Sequence, residues 1–151
     1  MTKVNKIRKR QYLKEFKEHG RFIKIHSKMT KSEAWKSLPI GARAIFLEIY
    51  LRYDGTNNGG IVVGIKEFSK YLGISPPTLM KYIKELLQRG FIVKKFSGMF
   101  TLKKASEYAI TEQSDGTGPP QQLWKYWRPG YDLTDNEALK KAKEEYQNQT
   151  K

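Results

Sequence analysis

Cysteine is absent from this chain, which excludes disulfides, thiolate metal ligands and a thiol nucleophile. Histidine is almost absent. His19 and His26 stand seven residues apart in a basic segment, and neither His-x-Glu nor Glu-x-x-His spacing occurs, so no metal-ligand pattern is readable. No apolar run approaches the roughly 18 residues needed to cross a bilayer, and no apolar block of the signal-peptide kind opens the chain. The compartment expected from these features is the cytoplasm. A Gly-x-Ser-x-Gly nucleophile motif is missing. The expectation is therefore a protein that is not an enzyme, with no catalytic residue, metal, cofactor or small-molecule ligand.

Acidic residues are also scarce. Against 29 Lys and Arg there are 15 Asp and Glu in 151 residues, a formal net charge of +14. The excess is uneven. Residues 1–31 carry 11 basic and 2 acidic side chains, residues 32–111 carry 12 and 6, and residues 112–151 carry 6 and 7. A clustered basic excess with a pI near 9.9 is the electrostatic footprint of a nucleic-acid binder.

The chain divides by composition. Residues 1–20 form a basic arm, with Arg8, Lys9 and Arg10 as candidate phosphate contacts. A short extended segment over 21–29 precedes Thr30-x-x-Glu33, which reads as a capping box opening a helix. Pro39 suits the first position of the next helix, whose apolar residues Ala42, Ile45, Phe46 and Ile49 recur at helical spacing. The glycines at 55, 59 and 60 lie in a turn and lack the phosphate-loop pattern. Ile61–Val63 reads as a strand. Residues 21–112 form the expected main domain, and residues 113–151 a Gly/Pro linker, an aromatic LWKYW segment and a polar helix opened by Thr134-x-x-Glu137.

Ile65–Phe91 is the most informative stretch. Ile65, Phe68 and Leu72 form one helical stripe ending at Gly73. Leu79, Ile83, Leu86 and Leu87 form a second, begun by Ser75 as N-cap and Pro76 in the first turn. Two helices joined by a short Gly-containing turn make a helix-turn-helix. Pro77, Thr78, Met80, Lys81 and Lys84 then face outward. A hairpin follows, from a strand at 91–93 through Ser97-Gly98 to a return strand over 102–111, with Lys94, Lys95, Lys103 and Lys104 near its tip.

Ser69, Gly73, Ile74, Ser75, Thr78, Leu79 and Ile83, followed by Gly90-Phe91-Ile92, resemble the corresponding segment of winged helix-turn-helix DNA-binding proteins, a family of small bacterial and phage-type proteins. The likeness covers about half the chain. It implies a mainly α fold with a small β-hairpin: a winged helix-turn-helix carrying an N-terminal basic arm and a C-terminal aromatic and helical tail. It further implies a sequence-specific double-stranded DNA-binding protein, a transcriptional regulator, with residues 76–89 in the major groove. Ser75, Thr78, Met80, Lys81 and Lys84 would then meet DNA, with the hairpin lysines on phosphates. The alternatives are a plasmid or phage replication initiator, or a protein-interaction module built on the same scaffold. The partners expected are double-stranded DNA and, because such domains often read two half-sites, a second copy of the chain.

Overall fold

The computed structural model describes residues 6–7, 10–11, 14, 18, 20–99 and 104–151. Two single-turn helices, α1 (Ser27–Thr30) and α2 (Glu33–Lys36), lead into the central helix α3 (Ile40–Leu51). The cap of α2 is Ser32, whose hydroxyl accepts the Trp35 N–H at 3.2 Å. Thr30, the expected cap, instead donates its hydroxyl to the Ser27 carbonyl at 3.1 Å and closes α1. Pro39 is the N-cap of α3 rather than its first residue, so the helix starts one residue later than expected.

Helix α3 buries Ala42, Ile45, Phe46, Ile49 and Tyr50. Around Phe46 the aromatic rings meet edge to face, with centroids 5.8 Å from Trp35 and 5.5 Å from Phe91. Trp35 and Phe91 are 5.7 Å apart and complete the trio. Each such pair contributes about 0.5–1.5 kcal/mol beyond the area it buries.

Strand β1 (Ile61–Val63) precedes helix α4 (Ile65–Leu72), which ends at Gly73 with φ +69°. Helix α5 (Pro76–Gln88) follows at once. Ser75 caps it by accepting the Thr78 N–H at 3.3 Å, and the two prolines sit in the first turn, where their missing N–H groups are not needed for helical bonds. Leu79, Ile83 and Leu86 are buried against the core.

Strands β2 (Ile92–Phe96) and β3 (Ser106–Ile110) come next. They do not stand alone as a hairpin. β1 pairs with the other edge of β3, so the three strands form an antiparallel sheet in the order β1-β3-β2, with β3 central. This overturns the expectation of a mainly α fold with a small hairpin. About 49% of the described residues are helical, with six α-helices in the element order from Ser27 to Gln149 and a three-stranded sheet, an α+β fold. The reason is the three apolar residues of β1, which bury Ile61 and Val63 against the sheet's core face.

The register contains one irregularity. Lys94 lies opposite Tyr108 and Phe96 opposite Glu107, so β2 advances two residues where β3 advances one. Lys95 is the extra residue of a β-bulge. The return strand begins at Ser106 rather than 102, which lies outside the described residues. A single bridge between Met99 and Lys104 narrows the loop before it.

The C-terminal segment folds onto the same core. A 3-10 helix (Leu123–Tyr126) and helix α6 (Asn136–Gln149) bury Leu123, Trp124, Trp127, Leu133 and Ala142 with the residues of α3 and α5. Asp135 caps α6 by accepting the Ala138 N–H at 2.8 Å. Thr134, the expected cap, hydrogen-bonds Asp132 instead. The junction is tight at Gly90, whose φ is +75°; a Cβ there would lie 2.7 Å from the Leu123 Cβ. Among the described residues no helix is long and apolar enough to cross a membrane.

Candidate functional site

The side chains singled out in the sequence lie on two separate parts of the surface. On α5 and its cap, Ser75, Pro77, Met80, Lys81 and Lys84 are exposed, Met80 to 58%, while Thr78 is half-buried. Thr78 and Ser75 are occupied with each other, their hydroxyl oxygens 2.8 Å apart. On the sheet, Lys94, Lys95 and Lys104 are exposed. Arg10 is exposed as well; Arg8, Lys9 and Lys103 lie outside the described residues.

The sheet lysines are engaged by their own chain. Lys95 Nζ lies 2.8 Å from the Asp115 carboxylate. Lys104 Nζ lies 3.6 Å from Glu107 and stands over the Phe96 ring, 4.2 Å from its centroid. Lys94 stands over Tyr108 at 6.0 Å. The hydrogen bond from Lys95, helped by the Thr117 hydroxyl and amide, holds the Asp115 carboxyl well below the usual carboxylate range. Burial pushes the Tyr108 hydroxyl upward, against a smaller opposing pull from Ser106.

A concave region adjoins these lysines. A cleft of about 500 Å³ opens between β2 and the start of α6. Its floor is apolar: Leu87, Ile92, Val93, Leu123, Leu133 and Leu139. Its rim carries Lys94, Lys95, Gln121, Thr134 and Asn136. That volume falls within the usual range for small-molecule sites, about 300–1,000 Å³, and an apolar floor with few polar groups is their usual lining. A second hollow, beside Asn58 and Asp115, holds about 10 Å³ and has room for no more than a water.

Four consecutive residues of β2, Ile92 to Lys95, line the cleft, and the bulge falls at their end. Successive residues of a regular strand point to opposite faces. At Lys94 and Lys95 the extra residue breaks that alternation, and both line the rim. Two aspartates flank the lining residues Leu133, Thr134 and Asn136 in the sequence. Asp132 accepts Gln88 Nε2 at 3.1 Å, and Asp135 caps α6 beside Asn136. At Asp132 burial raises the carboxyl, but hydrogen bonds from Thr134 and Gln88 and the charge of Lys84 outweigh it, and the net shift is downward. The charged residues that line the cleft, Lys94 and Lys95, lie on its β2 side.

A second polar feature lies under the sheet's end. Glu112 is 3% exposed. Its carboxylate lies 2.6 Å from His26 Nδ1 and accepts the Trp124 indole N–H at 2.9 Å. No sequence signal marks Glu112, because its partners His26 and Trp124 are contributed by other segments. Among the described residues no group of three His, Cys, Asp or Glu side chains is placed to hold a metal ion.

No protein-family model matches the chain, and no solved structure matches it. Among curated proteins the chain is similar to the riboflavin kinase of Pyrococcus abyssi, 34% identical over 68 residues. The match takes in 45% of this chain and 32% of that protein, so the chain spans about a third of the length of the curated relative it matches.

This likeness overturns the functional expectations drawn from the sequence. The sequence-specific DNA-binding regulator, with its alternatives of replication initiator and interaction module, gives way to a similarity over 68 residues to part of a protein described as a riboflavin kinase. The expectations of a chain that is not an enzyme and of a transcription factor fall on the same finding. In physical terms, net charge and helix spacing constrain a surface and a local motif, and neither identifies the ligand.

Proposed function

We propose that the chain takes part in flavin phosphorylation by holding a flavin in the cleft between β2 and α6. The observation that carries this reading is the cleft itself, an apolar floor with a polar rim in a chain similar to part of a riboflavin kinase. An isoalloxazine ring is flat, with an apolar dimethylbenzene edge and a polar pyrimidine edge. Val93, Leu133 and Leu139 offer the surface for the ring, and Gln121 and Asn136 offer donors and acceptors for the pyrimidine edge. The part of this chain in that reaction is to hold the ligand.

Titration of the full chain into riboflavin, followed by flavin fluorescence, tests it. The expected outcome is saturable binding with Kd of about 1–100 μM. Leu139→Trp, which fills the floor from a half-buried position, is expected to abolish binding and leave thermal stability unchanged. Absence of binding up to about 1 mM riboflavin would overturn the reading. Parallel titrations with duplex DNA and sedimentation of the free chain examine the two partners expected from the sequence. Displacement of bound flavin by DNA would overturn the assignment of the cleft to a small-molecule ligand alone.

A further inference from the structure

We propose that the phosphorylated flavin is the preferred occupant of this cleft, its phosphomonoester held by Lys94 and Lys95, and that Asp115 sets this preference by competing for Lys95. The inference rests on the reading of the cleft as a flavin site and deepens it. Two observations carry it. Lys94 and Lys95, at the bulge, place two consecutive ammonium groups on one rim. Lys95 already binds an anionic oxygen, that of Asp115, at 2.8 Å.

The Lys95–Asp115 pair is suited to exchange. Both side chains retain some contact with solvent, at 39% and 14% exposure, and ion pairs in such settings hold weakly. A dianionic phosphate offers more charge and three acceptor oxygens, and can engage both lysines together. Asp115 does not lose its support when Lys95 leaves, because it also accepts the Thr117 N–H at 3.0 Å and the Thr117 hydroxyl at 2.5 Å. The turn after β3 thus keeps its shape, while Lys95 swings between carboxylate and phosphate. Asp115 is therefore a specificity-determining residue that acts through Lys95.

The test compares riboflavin, flavin mononucleotide and inorganic phosphate by calorimetric titration of the full chain. The wild type is expected to bind the mononucleotide about tenfold more tightly than riboflavin, with the difference shrinking as salt rises. Lys95→Ala should remove about five- to tenfold of the mononucleotide affinity and leave riboflavin binding unchanged, with Lys95→Arg restoring most of it. Asp115→Asn keeps an oxygen for Thr117 and should tighten mononucleotide binding about threefold or more, again without effect on riboflavin. Equal affinity for the two flavins, or an unchanged ratio in Asp115→Asn, would overturn the inference while the flavin site stands. Failure of both flavins to bind overturns the flavin reading itself. Binding of inorganic phosphate alone, with the same Lys95 dependence, would reduce the site to an anion site and overturn the preference for a flavin.

Discussion

Single residues in this chain settle matters that their neighbours in sequence do not announce. Glu112 is the clearest case. Its buried carboxylate joins His26, before α1, to Trp124, in the 3-10 helix. Glu112→Ala leaves the buried Trp124 N–H without an acceptor and is expected to lower unfolding free energy by about 2–3 kcal/mol, measured by denaturant titration. Glu112→Gln retains an acceptor and should lose less. Gly90→Ala is expected to cost about 2 kcal/mol or more, because its φ of +75° is strained for alanine and its Cβ would meet Leu123. The aspartates give the pH dependence. Backbone and side-chain bonds from Thr56 lower Asp54, the Lys95 hydrogen bond lowers Asp115, and the Thr134 and Gln88 bonds lower Asp132 against burial. A carboxyl lowered in the folded state binds fewer protons there than in the unfolded chain. Its stabilisation is therefore complete above the unfolded value, about 3.9, and is lost as pH falls through the folded one. Thermal unfolding should show a steep decline in stability below about pH 4, shallower in Asp115→Asn.

At the scale of elements, local signals and tertiary demands agree unevenly. The α4–α5 unit is the most locally determined. Gly73 adopts the left-handed conformation that ends α4, and Ser75 caps α5. Ser75→Ala is expected to cost about 1 kcal/mol by chemical denaturation, with a larger loss overturning the view that its hydroxyl acts only as a cap. The stripe Leu79, Ile83 and Leu86 was legible because a helix repeats its inner face every three or four residues. The caps of α2 and α6 were misread by small displacements. Ser32 and Asp135 lie close to the Thr30 and Thr134 that the capping-box pattern favoured, and either residue type can cap; the backbone entering the helix decides between them. The bulge in β2 left no sequence signal at all. It arises from the difference in advance between β2 and β3, a property of the pair.

At the scale of the whole molecule, the C-terminal segment is structurally continuous with the rest. Leu123, Trp124, Trp127 and Leu133 share one core with Phe46 and Leu86, and Leu133 N–H donates to the Gln88 carbonyl at 2.9 Å. A chain ending at Glu112 would expose the face that these side chains cover. It is expected to lose cooperative thermal unfolding or to melt at least about 10 °C below the full chain, as followed by circular dichroism. The cleft belongs to this scale as well, since its walls come from α5, β2 and the C-terminal segment together.

By itself the sequence determined the local grammar of this protein. Helical stripes, the Gly73 stop, the Ser75 cap and the basic excess follow from residue type and spacing, which act over a few neighbours. The tertiary structure decided the rest. It placed β3 between β1 and β2, turned Lys94 and Lys95 toward one cleft, buried Glu112 against His26 and Trp124, and closed the C-terminal aromatics over the core. These outcomes depend on contacts between segments far apart in the chain. Burial of apolar area and satisfaction of buried polar groups choose among such contacts only once the whole chain is folded.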